Sequence, residues 1–291
     1  MSKETKAAFA LLGTIFLWAY MAVLARGVVT VISPVTVLFY RLLIASLFFL
    51  PFFIRGRVWK KLHFRELLLV SLGSTINLTF FTIGLKYTSA SVSQLLYAAM
   101  PILILIYSRV IYNERQSAKK ILGVILGFAG LVLIGIMSAV EKGETITGSL
   151  LGNLLILVAM FGWTTYLINS KKLSKHFSPT EMGSTSILLS FLFSIVLVIF
   201  TDVLQGKSLL VPVGFLLPLF YIGFAATFLT YILYQYAIRH SSALKVSLAS
   251  YIQPVVTTML AMFFLGETLT LHFVIGSVLI LSGVFLTSSV R

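Results

Sequence analysis

Apolar residues run along this chain in blocks of about 20, the number whose helical rise of roughly 1.5 Å per residue crosses a 30 Å hydrocarbon core. The pattern predicts ten spans: Ala7–Ala25, Pro34–Ile54, Leu67–Leu85, Ser89–Ser108, Ile121–Val140, Leu150–Asn169, Met182–Thr201, Val211–Ile238, Ala243–Leu265 and Leu271–Val290. The polar stretches between them are too short for a soluble domain, so functional groups are expected in or beside the bilayer. The first block follows Lys3 and Lys6 as the core of a secretory leader would. It is longer than such a core, and it is read as a retained span.

Composition sharpens the picture. The chain has 291 residues, 59% apolar and 10% charged, too few charges to cover a water-soluble protein of this length. The formal charge is +14, yet basic residues scattered between apolar blocks match cytoplasmic loops facing anionic lipid, not a nucleic-acid footprint. Of 22 Lys and Arg, Arg26, Lys86, Lys142 and Lys207 fall on one side, Arg41 and Lys245 fall inside spans, and the other 16 fall on the opposite side. Both termini are therefore expected in the cytoplasm, with the lipid partner a bacterial inner membrane. There is no Cys, which removes thiolate catalysis, thiolate metal sites and disulfides together.

The two halves repeat. Ser33-Pro34 recurs as Ser178-Pro179 and Trp18 as Trp163, each 145 residues on; Pro101, Glu114, Gly123 and Gly130 recur as Pro254, Glu267, Gly276 and Gly283, each 153 on. The change of offset places a short insertion around Asp202–Leu210. The expected fold is an all-α membrane protein with ten transmembrane helices as two inverted five-helix repeats, residues 1–142 and 143–291. Inversion follows from counting, because an odd number of spans returns the chain on the opposite side.

The Tyr87-Thr88-Ser89-Ala90-Ser91 lead-in, mid-span Pro101, Glu114 and the following glycine-rich span resemble EamA-type members of the drug/metabolite transporter superfamily. The second half has a weaker lead-in, His240-Ser241-Ser242-Ala243-Leu244, but keeps Pro254 and Glu267. The resemblance implies a central cavity between the halves, opened alternately to each side. Superfamily substrates range over amino acids, sugars, nucleotide sugars, organic phosphates and cationic drugs, so it does not name the solute.

Pro101 and Pro254 each remove a helical hydrogen bond and free the carbonyls of Tyr97 and Ser250, which predicts bends near the midplane. A packing kink without ligand contact is the alternative. At 100° per residue, Ser247, Ser250, Tyr251, Pro254 and Thr258 share one face of their span, and Gln94, Tyr97, Pro101 and Ser108 share the equivalent face. Such faces avoid acyl chains and meet water or another helix. Asn77, Thr227, Tyr231 and Tyr234 are candidates for the same space. Trp18 lies roughly 16 Å beyond Ala7, deeper than the interfaces that tryptophan prefers, and Trp163 repeats it; both are candidates for aromatic cavity walls or for core packing. Arg41 is an intramembrane cation, a possible charge partner for substrate, and Lys245 is a second, each with snorkelling as its alternative. The use of basic residues by phosphate-translocating relatives keeps Lys245 in view.

No paired carboxylates, His-Glu metal motif or placed nucleophile occurs within a span, so no enzyme, metal or cofactor is expected. No Asp or Glu lies mid-span either, which argues against a carboxylate proton relay. The expected function is secondary transport, as exporter or exchanger, of a small organic metabolite such as an amino acid. An organic-phosphate or cationic-drug transporter of the same fold, or a receptor without transport, is the alternative.

Overall fold

A computed structural model describes residues 2–29, 31–84, 86–88, 93, 96–97, 99–113, 116–141, 149–265 and 271–289, and those residues hold helices and no strand. The helices are α1 (Lys3–Val29), α2 (Pro34–Arg55), α3 (Phe64–Gly84), α4 (Met100–Tyr112), α5 (Ala118–Glu141), α6 (Leu150–Leu173), α7 (Pro179–Val198), α8 (Leu216–Gly223), α9 (Thr230–His240), α10 (Ala243–Ser247), α11 (Ala249–Leu265) and α12 (Leu271–Ser289). A π-helical turn at Ile199–Val203 extends α7, and another at Phe224–Leu229 joins α8 to α9.

The repeated Ser-Pro pairs are helix starts. Pro34 and Pro179 occupy first-turn positions, where a missing N–H costs nothing, and Ser178 closes a capping box with Glu181. Among the described residues, Pro34–Arg55, Phe64–Gly84, Leu150–Leu173, Pro179–Val203, Val213–His240 and Leu271–Ser289 are long and apolar enough to cross a membrane. The protein is an all-α membrane protein that spans several times. Of the other four expected spans, Ala7–Ala25 and Ile121–Val140 lie within α1 and α5, of 27 and 24 residues. Ser89–Ser108 falls partly outside the described residues, and Ala243–Leu265 is divided at Leu248 into α10 and α11.

Polarity is arranged for lipid. Leu47, Leu69, Phe161, Leu192, Leu217 and Phe285 are exposed, while Thr14, Ser71, Thr75, Ser186 and Ser190 are buried. Ser71 pairs with Ser186 at 3.1 Å and Thr75 with Ser190 at 2.9 Å, hydroxyl bonds that fasten α3 to α7 where lipid offers no alternative partner. The most extensive pairings are α5 with α12, α3 with α6 and α2 with α7, followed equally by α1 with α9 and α3 with α7. Glycines set the first two. A Cβ on Gly123 would lie 2.6 Å from the Gly283 carbonyl oxygen, one on Gly130 2.5 Å from that of Gly276, and one on Gly73 2.7 Å from that of Gly162. Backbones this close gain dispersion along their whole crossing, the main attraction between helices already in lipid.

Candidate functional site

These pairings leave an open-mouthed cavity between α1, α2, α3, α4, α6, α9 and α11. One wall is aromatic. Trp163 stacks on Tyr234 with ring centres 5.2 Å apart, and Trp18 meets Trp163 edge-on at 6.0 Å and Tyr234 at 5.3 Å. The other walls carry Arg41, Asn77, Tyr97, Tyr231, Ser250 and Gln253 among apolar Met21, Leu78, Phe81 and Met100. Asn77 donates from Nδ2 to the Tyr97 hydroxyl and to the Ala159 carbonyl, the latter at 3.0 Å. Tyr231 shares a 2.7 Å bond with Ser74.

The π turn at Phe224–Leu229 builds part of this wall. A wider turn leaves backbone oxygens without their usual i+4 donors, and side chains take them over. Trp18 donates its indole N–H to the Ala226 carbonyl at 3.1 Å and to the Thr230 hydroxyl at 3.2 Å. Thr227 donates to the Ile222 carbonyl at 2.7 Å, and its oxygen accepts from Arg41 Nε at 2.6 Å. One backbone irregularity therefore orients both an aromatic ring and an intramembrane cation.

Of the residues singled out in the sequence, Trp18, Trp163, Asn77, Tyr97, Tyr231, Tyr234, Ser250 and Arg41 line one cavity. Ser247 and Tyr251 do not. Ser247 is buried and donates to the Leu244 carbonyl at 2.7 Å; Tyr251 packs its ring on Gly127 of α5 and donates to the Val124 carbonyl at 3.1 Å. Both are helix contacts because the expected wheel assumed an unbroken helix, whereas a bond from Tyr251 N to Leu248 O at 3.0 Å tightens the turn at Leu248 and shifts the phase. Pro254 lies inside α11, and the boundary between α10 and α11 precedes it at Leu248. Pro101 sits in the first turn of α4, and the residues before Ala99 are described only in part. Lys245 lies in α10 and is not among the lining residues. Gln94, Glu114 and Glu267 lie outside the described residues.

Lining residues that the sequence did not single out include Met21, Phe81, Ser93, Met100 and Gln253, and a buried polar network lies beneath the aromatic wall. There the Tyr166 hydroxyl accepts from Ser186 at 2.9 Å and from Gln235 Nε2 at 2.6 Å, and Gln235 also donates to Ser170 at 3.3 Å. Gln235 and Gln253, amides within apolar blocks, were the available signal. Among the described residues no group of three His, Asp or Glu side chains is placed to hold a metal ion.

Helices α2 and α7 are fastened at both ends. Asp202, buried in the π turn after α7, accepts from Thr36 at 2.8 Å and from Lys207 at 3.2 Å; at the other end Lys61 and Glu181 form a 2.7 Å ion pair.

The sequence profile of the EamA-like transporter family matches this chain twice, over residues 5–136 and 150–289. The uncharacterized transporter YyaM of Bacillus subtilis (strain 168) is 29% identical over 72% of this chain and 68% of its own length. An uncharacterized transporter of Archaeoglobus fulgidus is 24% identical over 99% of both chains. A crystal structure of another protein superposes with a TM-score of 0.82 over 98% of this chain and 97% of the other, at 16% identity, which speaks to fold alone.

Proposed function

Because the chain belongs to the EamA-like transporter family, we propose that it carries a small organic metabolite across a bacterial inner membrane by alternating access to the central cavity. The observation that carries this reading is the cavity itself: residues from both halves of the chain wall it, and its polar groups lie at membrane depth, where acyl chains would leave them unsatisfied.

The two halves are read as inverted repeats, residues 1–142 and 143–291. Equivalent residues that touch each other lie near a two-fold axis, and Trp18 and Trp163 do so. The Gly123–Gly283 and Gly130–Gly276 approaches exchange under the 153-residue offset, as symmetry requires. The start of α2 bonds the end of α7 and the reverse, so these equivalent helices run antiparallel. The α3–α6 pairing has its mate in α9–α1. Rocking of one half against the other around such an axis would open the cavity to either side in turn.

On this reading both termini lie inside. Three of the basic connections meet at one end of the bundle, where Lys61 pairs with Glu181, His63 stacks on His176 at 4.1 Å, and Lys171 donates to the Arg239 carbonyl at 2.9 Å. Reporter fusions after Arg65 and Lys120 are expected to read cytoplasmic and one after Lys142 periplasmic; the opposite pattern would refute both orientation and inversion.

The natural absence of Cys makes a direct test of the cavity available. Ser250→Cys in purified vesicles should react with a small aqueous thiol reagent and be protected by transported solute, while Ser247→Cys, fully buried, should not react. The same vesicles should show solute counterflow that ignores an imposed pH gradient at zero membrane potential, because no described carboxylate lines the cavity. Equal labelling of both positions, or no solute flux, rejects the reading.

A further inference from the structure

Arg41 is the one side chain with a formal charge among the described residues lining the cavity. It sits seven residues beyond Pro34, roughly 10 Å along α2, and a guanidinium held at that depth is costly unless something pairs with it. The fold supplies one neutral partner, the Thr227 oxygen on Nε, and no Asp or Glu among the described residues comes within ion-pair distance. The Nη groups have no partner in the described structure. The bond to Thr227 fixes the plane of the guanidinium, and Thr227 is itself tethered by donating to Ile222 across the π turn.

We propose that the missing counter-charge is the substrate's: Arg41 anchors the carboxylate of a small organic monoanion whose apolar or aromatic body rests against Trp18, Trp163 and Tyr234. This rests on the transporter reading and narrows its substrate class. Two parallel N–H donors match the two oxygens of a carboxylate in spacing and plane. Charge selects between oxyanions. One cation neutralises a carboxylate, whereas a phosphate monoester carries nearly two negative charges at neutral pH and would keep about one unmatched in a low-dielectric cavity. A cationic solute would meet Arg41 with like charge. The aromatic wall offers the body of the ligand a large apolar face, and Asn77 and Ser250 give a few polar contacts beside it, the usual composition of a small-molecule site.

The test uses the full chain in detergent, in a Trp59→Phe background, so that fluorescence reports the cavity pair Trp18 and Trp163 alone. Three probes share a benzyl group: phenylacetate, its neutral amide phenylacetamide, and benzyl phosphate. Phenylacetate is expected to quench with at least about tenfold tighter affinity than the other two, the difference a desolvated charge pair supports. Arg41→Gln should reduce that preference to about onefold while leaving amide binding in place, and Arg41→Lys should keep part of it. Thr227→Val, which frees the guanidinium without removing its charge, should lower the preference by a few fold and serves if Arg41→Gln does not fold. Equal affinity for phenylacetate and phenylacetamide, tighter binding of benzyl phosphate, or an unchanged preference in Arg41→Gln overturns the assignment. Protection of Ser250→Cys by neutral or cationic solutes alone overturns it too, yet leaves the transporter reading standing. Failure of every solute to quench or to protect overturns both.

Discussion

Trp163→Ala is expected to lower the stability of the protein by about 2–4 kcal/mol, and Trp163→Phe by about 1, while Ala at lipid-facing Phe161 should change it by under about 0.5. Trp163 is buried and touches Trp18, Tyr166, Tyr231 and Tyr234, so its removal opens a void at the junction of α1, α6 and α9. In a water-soluble core such a deletion costs about 3–5 kcal/mol, part of it from transfer out of water. Here the separated helices stay in lipid, and the transfer contribution shrinks. The loss that remains is dispersion and the void itself, because the rings of Trp18, Tyr166 and Tyr231 are held by hydrogen bonds to Ala226, Gln235 and Ser74 and resist collapse inward. Denaturant-dependent unfolding in mixed micelles measures all three variants. Equal losses for Trp163→Ala and Phe161→Ala would show that the aromatic wall is not a packed unit.

The second large effect is expected at the opposite kind of contact. Asp202→Ala should cost about 1–3 kcal/mol, because it strands the buried Thr36 hydroxyl and unfastens the start of α2 from the end of α7. Lys207 contributes less, since its side chain is 48% exposed and water screens the pair. Thr36→Val removes the same bond from its other side. The double variant should therefore fall well short of the sum of the two single losses, whereas additivity within about 0.5 kcal/mol would refute the coupling. The α2–α7 strut is also fastened by Lys61 and Glu181, and loosening one end alone should alter the rate of solute exchange more than the affinity for solute. Counterflow in vesicles at saturating and subsaturating solute separates those quantities.

How far the residues alone reached is clearest along α10 and α11. Apolar period and length marked one span from Ala243 to Leu265, and Pro254 marked where it should bend. A break that no residue type announced falls before it at Leu248, where a tightened turn accompanies the packing of Tyr251 against Gly127, and Ser250 reaches the cavity while Ser247 and Tyr251 do not. A helical wheel carries phase only through an unbroken helix. The π turn at Phe224–Leu229 was invisible for a related reason: FAATFL holds no Gly or Pro, and the wider turn is sustained by Trp18 and Arg41, more than 180 residues earlier in the chain.

The family, the membrane class and the repeated Ser-Pro, Trp and Gly positions were readable in the sequence by itself, because bilayer thickness dictates block length and duplication leaves constant offsets. Tryptophans placed mid-span and an arginine seven residues into a span likewise stand out, since their positions along apolar blocks are ones that lipid disfavours. What only the tertiary structure decided is which of these polar and aromatic groups share a space. Every intramembrane hydroxyl must find a partner somewhere, and whether its side chain meets a neighbouring helix, as for Tyr251, or borders the cavity while bonding back to the Ser247 carbonyl, as for Ser250, is set by crossings between helices that no local pattern encodes.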